Sequence, residues 1–145
     1  MNFNGYKRVR LTDIAAVERV KKGIVYKANT IFIQVSASKG QTIIIDNDME
    51  MGTQYVSVIP KIDINAKYLK ISIDNEMEQF LQKYQTGLNI QVDTFKHMYI
   101  YIHDKETQEY IVNSLMAINQ EIEQEEKEIQ LYKSMKYYYL RNMFV

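Results

Sequence analysis

Residues 105–145 read KETQEYIVNSLMAINQEIEQEEKEIQLYKSMKYYYLRNMFV, without a glycine or a proline. Nothing in that stretch interrupts a helix, and its apolar residues keep a heptad frame. Ile111, Leu115, Ile118 and Ile122 step by four, three and four; Ile129, Tyr132, Tyr139 and Met143 rejoin the same seam. Glu125 and Lys136 stand within it, so the seam is not a uniform coiled coil. A helix over 106–142, about 38 residues at 1.5 Å each, is a rod about 57 Å long. Between 106 and 128 seven glutamates face one lysine, whereas Lys133, Lys136 and Arg141 follow with no acid. Acid first and base last suits the helix dipole. Tyr137, Tyr138, Tyr139, Met135, Met143 and Phe144 put apolar surface near the tip. One small domain cannot cover all of it, which implies a partner chain.

Upstream of residue 104 the texture changes to short β-like runs punctuated by turns. Strands are expected at Tyr6–Leu11 and Ile24–Tyr26, with a short helix or turn between them capped by Thr12 or Asp13. Ile31–Val35 and Gln41–Ile45 read as a hairpin whose loop is Ser36–Gly40, and Tyr55–Ile59 alternates up to Pro60. These runs are expected in one sheet. Leu69, Ile73, Met77, Phe80, Leu81 and Tyr84 fall at helical spacing over 66–86, with Asn65 as cap, Gly87 as stop and a break near Asp74-Asn75. A strand over Phe95–Ile102 then leads into the rod. The fold class that follows is α+β: a small mixed β-sheet domain with helices, 1–104, then a long coiled-coil-like helix, 105–145.

The whole chain has 145 residues, 46% hydrophobic and 25% charged, with 18 basic and 18 acidic side chains. Those proportions fit a folded globular protein rather than a disordered one. No apolar run approaches the ~20 residues of a membrane-spanning helix. Neither a secretion signal at Met1–Tyr6 nor any cysteine is present, so a cytoplasmic address is expected, with no disulfide, thiolate metal site or cysteine nucleophile. Net charge is zero, but residues 1–30 carry seven basic groups (Lys7, Arg8, Arg10, Arg19, Lys21, Lys22, Lys27) against Asp13 and Glu18.

Residues that carry chemistry are scarce. His97 and His103 share one strand in this reading, six residues apart, which at about 3.3 Å per residue is too far to share a metal. Asp46–Gly52 misplaces the glycine of a calcium loop, and Ser57 stands where its glutamate belongs. No phosphate-loop, dinucleotide or nucleophile-elbow motif occurs. A hydrolase using His97 and Asp93 has little to support it. No cofactor is expected. What the residues do offer is a binding surface: Lys21, Lys22 and Lys27 for phosphate, and Ser36, Ser38, Lys39, Gln41 and Asn89 for base edges. The alternative is a module that dimerises through its helix without touching DNA.

In order along the chain, three segments resemble the specificity subunit of type I restriction–modification systems. Val9-Arg10-Leu11-Thr12-Asp13-Ile14-Ala15-Ala16-Val17 is similar to that family's opening strand and short helix. Tyr68-Leu69, the helix to Tyr84 and Thr86-Gly87-Leu88-Asn89-Ile90 resemble its tyrosine–leucine helix and glycine turn. Gln108-Glu109-Tyr110-Ile111 matches the Q-x-x-I step that opens its spacer helix. Leu131–Lys136 through Leu140–Phe144 resembles the lysine-containing close of that helix. Ile102-His103-Asp104-Lys105 replaces the family's proline-rich step, and Thr107 its usual glutamate. The resemblance implies a non-enzymatic subunit in which a target recognition domain reads half of a split site in double-stranded DNA. It also implies a partner methyltransferase (modification) subunit and, for one domain with one helix, a homodimer with antiparallel helices. Ile111, Leu115, Ile118, Ile122, Ile129, Tyr132, Tyr139 and Met143 would form the dimer or partner interface.

Overall fold

A computed structural model describes residues 3–144; Met1, Asn2 and Val145, at the outer ends of the two expected segments, lie outside the described residues. The chain packs as two units, one up to Glu109 and one from Tyr110. In order, the first contains β1 (Tyr6–Arg10), α1 (Leu11–Ile14), β2 (Ala15–Arg19), β3 (Val25–Tyr26), β4 (Ile31–Gln34), β5 (Thr42–Ile44), β6 (Met49–Glu50), β7 (Tyr55–Pro60), α2 (Ala66–Tyr84), a 3₁₀ turn (Val92–His97) and β8 (Tyr99–His103). Helix α3 (Lys105–Met143) begins at its edge and supplies the second unit.

The strands form three sheets rather than one. Four make the order β2-β7-β4-β5, while β1 pairs with β8 and β3 with β6. Among the described residues every pairing is antiparallel, where the expectation is a mixed sheet. Strand β2 overlaps the segment up to Val17 expected as a short helix or turn: Ala15-Ala16-Val17-Glu18-Arg19 has little β-branched character, and its pairing with Val56–Pro60 makes it a strand.

The apolar run Ile31–Val35 does not alternate because both faces of β4 are buried. Ile31, Ile33 and Val35 join Val56, Val58 and the α2 residues Leu69, Ile73, Met77 and Phe80 in the main core. Phe32 points the other way, into a smaller cluster with Val20 and Ile45, where Tyr26 and Tyr55 meet its ring edge-on.

Helix α2 starts where its cap residue dictates: the Asn65 side chain accepts from the backbone N–H of Lys67 (3.0 Å) and Tyr68 (3.2 Å). It runs unbroken through Asp74-Asn75, because Lys70 pairs with Asp74 one turn on and Thr42 bonds the same carboxylate. It ends earlier than expected, with Gln85 already extended. Gly87 is therefore not its capping glycine; with φ of 72° it turns the chain between Thr86 and Asn89, which bridge each other.

Two further expectations fail locally. Neither Thr12 nor Asp13 caps α1. Arg10 occupies the cap position without a side-chain bond, and the turn is anchored by Leu11 N–H to Met98 O (2.9 Å). Phe95 belongs to the 3₁₀ turn and not to a strand, its buried ring stacked on Phe80 at 5.3 Å. His97 and His103 are thus not on one strand. His97 lies flat against Tyr84, and His103 Nδ1 sits 2.6 Å from the Tyr68 hydroxyl.

Candidate nucleic-acid interface

One end of the four-stranded sheet gathers the loops after β2 and β4 and before β7, because Arg19, Gln34 and Tyr55 are close in register there. The β4–β5 hairpin loop is built by its own polar groups. Ser38 Oγ donates to Gln41 Oε1 (2.5 Å) and accepts from Gly40 N–H (2.9 Å), while Gln41 Oε1 also takes Lys39 N–H (3.2 Å). Ser38 is buried by this arrangement and Lys39 and Gln41 are exposed. Gly40, at φ 71°, lets Met77 of α2 come so near that an added Cβ would sit 2.5 Å from its sulfur.

The glycine turn after α2 is stitched onto this loop. Asn89 Oδ1 accepts from Ala37 N–H (2.9 Å), Leu88 O from Ser38 N–H (3.1 Å), and Ser38 O from Gln85 Nε2 (2.9 Å). Ile90 N–H donates to Val35 O (2.8 Å). Fifty residues apart in sequence, the hairpin loop and the turn make one platform carrying Ser36, Lys39, Gln41 and Asn89. Arg19, which the sequence reading did not single out, reaches it through Ser36 Oγ (3.4 Å).

Lys21 and Lys22 follow Arg19 on a tight exposed turn, closed by Ile24 N–H to Lys21 O and by the positive φ of Gly23 (82°). Lys27 is set apart from them. It precedes β4, whereas the hairpin loop follows β4, and it is tied to Asp48 at 2.8 Å. Asp48 also accepts from Ala28 N–H (2.8 Å). The hydrogen bond from Lys27, then the one from Ala28, hold the Asp48 carboxyl below its ordinary pKa, and the same pair pushes the Lys27 ammonium up.

Two more cations lie on β1. Arg8 and Arg10, two residues apart and so on one face, both lean on the ring of Tyr99, at 4.6 and 5.6 Å from its centroid. Arg10 Nη2 also donates to the Tyr99 hydroxyl (3.1 Å). Neither is in an ion pair among the described residues. Arg8 borders a cleft of about 150 Å³ with Lys83, His97 and Glu76. That volume is below the ~300 Å³ at which pockets begin to hold drug-sized ligands. The basic side chains were visible in the sequence; their convergence on Tyr99 depends on the β1–β8 register, Arg10 opposite Tyr99.

Gln108 ties down the first turn of α3. Its side chain donates to His103 O (2.8 Å) and accepts from Asn65 N–H (3.3 Å), so the glutamine of the Q-x-x-I step locks the start of α3 to the cap of α2. Asp104 caps α3 through Thr107 N–H (2.9 Å) and the Thr107 hydroxyl (3.0 Å), bonds that hold its carboxyl below the ordinary range. Further along, Ile111 is half-buried, whereas Leu115, Ile118, Ile122, Ile129, Tyr132, Tyr139 and Met143 are all exposed. Among the described residues no group of three potential metal ligands forms, and no helix is long and apolar enough to cross a membrane.

Comparison with known proteins agrees with this architecture. No curated protein matches the chain in sequence. The type I restriction–modification S subunit from M. genitalium superposes with a TM-score of 0.71 at 14% identity, over 99% of this chain and 47% of that one. The HsdS subunit from Thermoanaerobacter tengcongensis gives 0.66 at 13% identity, over 88% of this chain and 40% of that one. A chain from a structure describing complex assembly and conformational transition of the type I R-M system gives 0.68 at 13% identity, over 88% and 42%. The present chain thus spans about half the length of each. A family model for the type I restriction modification DNA specificity domain matches residues 4–132, through the loop platform and most of α3, and the chain belongs to that family.

Proposed function

We propose that this chain is a non-enzymatic specificity component of a type I restriction–modification assembly. Its first unit reads one part of a split site in duplex DNA; its α3 pairs antiparallel with that of a second copy and docks a methyltransferase subunit. The observation that carries the DNA reading is the stitched platform. A loop and a turn far apart in sequence are joined, leaving Lys39, Gln41 and Asn89 exposed, with Arg19 bonded to Ser36 and Lys21 and Lys22 on the turn that follows Arg19. Rigid presentation of hydrogen-bonding side chains next to cations is what base-edge reading with phosphate anchoring requires. Arg8 and Arg10 add phosphate-binding capacity.

The test is a gel shift with the methyltransferase-assembled complex on its target duplex. Lys39→Ala weakens retention of the target duplex more than of an unrelated one, as loss of a base-edge contact does; unchanged retention rejects the platform as the reading surface. If the wild-type complex retains no duplex at any salt, the alternative stands, a module that dimerises through its helix without DNA.

A further inference from the structure

The seam of α3 contains two charges, Glu125 and Lys136, at positions where the surrounding residues are apolar. Neither is in an ion pair among the described residues. Left facing apolar side chains of a partner helix, each would be an uncompensated buried charge. Their spacing removes that penalty in one arrangement. We propose that two copies of α3 pair antiparallel about a two-fold axis between Gln130 and Leu131, so that Glu125 of each copy faces Lys136 of the other. This rests on the antiparallel pairing above and assigns its register.

From Ile118 to Met143 every other seam position then meets an apolar or aromatic one. Ile129 faces Tyr132 of the second copy, Ile122 faces Tyr139, and Ile118 faces Met143, each a layer of the kind antiparallel coiled coils build. The flanking rows agree independently. Glu126 comes beside Lys133 of the other copy, Glu128 beside Met135, and Glu121 beside Asn142, with no like charges opposed. Sliding one helix by a heptad in one direction sets Glu125 against Ile129 and opposes Glu126 to its own copy. Sliding it the other way sets Lys136 against Tyr132 and opposes Lys133 to itself. A parallel, in-register pair opposes Glu125 to Glu125 and Lys136 to Lys136. The two charges therefore act as a register key: they disfavour the slipped and parallel alternatives more than they strengthen the correct pair.

Charge exchange in the full-length chain tests this by sedimentation equilibrium. Glu125→Lys and Lys136→Glu each weaken self-association about tenfold or more, because each brings like charges together. Mixed in equal amounts, the two variants form a heterodimer in preference to either homodimer, and the double exchange restores the homodimer. A dimeric wild type whose association ignores these changes overturns the register while leaving the pairing intact; a wild type that stays monomeric overturns both. The chain has no cysteine, so disulfide capture gives a second reading. Ile129→Cys mixed with Tyr132→Cys cross-links on oxidation, whereas efficient capture of Ile122→Cys with Tyr132→Cys would show the helices one heptad out of the assigned register.

Discussion

Ile73 of α2 and Ile118 of α3 are the same residue on the same kind of helix, yet Ile73 is fully buried and Ile118 is 51% exposed. Helix α2 lies against β5 and β8 and closes its apolar stripe in the core that it shares with β4 and β7; α3 carries Leu115, Ile118, Ile122 and Ile129 in the open. Since full burial of such a side chain contributes about 1.5–3 kcal/mol, the first unit draws its stability from inside. The stripe of the second can contribute only when something covers it. An amphipathic helix thus reports a surface that needs covering, and the tertiary structure shows whether the chain itself covers it.

That contrast can be broken by truncating each side. Phe32→Ala empties a site enclosed by Val20, Ile45, Tyr26 and Tyr55 and costs about 3–5 kcal/mol in denaturant unfolding. Ile118→Ala, measured in dilute protein, changes unfolding by no more than about 0.5 kcal/mol, while lowering self-association. Equal losses at the two positions would abolish the distinction. Gly40→Ala comes next, at about 1–3 kcal/mol, because the new methyl meets Met77 and the residue holds a positive φ. Gly87→Ala is milder, with nothing within 4 Å and only the φ strain to bear; thermal melts of the pair separate crowding from strain.

Smaller still is the cap of α2. Asn65→Ala leaves the Lys67 and Tyr68 N–H groups without their acceptor and costs about 1 kcal/mol; Asn65→Asp retains most of it. Mildest is the pH effect. Asp48 and Asp104 both have lowered folded-state pKa values, so their contribution is present above the unfolded carboxylate pKa and fades as pH falls through the lowered folded value. Both groups are exposed, so the acid-side loss is slight. Asp48→Asn flattens it at the Lys27 pair and Asp104→Asn at the start of α3, as stability measured from neutral pH into acid would show.

Local signals made parts of the fold legible. The Asn65 cap, the hairpin around Ser36–Gly40 and the uninterrupted α3 each follow from residues within a few positions of one another. The candidate interface was only half legible. Lys39, Gln41 and Asn89 could be named, but not that Ala37 N–H bonds Asn89. Ser38 looked like a base-reading side chain, yet its hydroxyl is spent inside the loop. Lys27 looked like part of the basic cluster, yet Asp48 holds it beyond the other end of β4.

By itself the sequence determined where helices can begin and persist and which stripe of α3 is apolar, since periodicity and capping are properties of neighbours along the chain. Only the tertiary structure decided that β2 is a strand, that Phe95 turns inward beside Phe80 and that Arg8 and Arg10 share one tyrosine ring. Each of those depends on which distant backbone supplies the hydrogen bonds or the packing surface, and pairing across tens of residues leaves no mark in a local pattern.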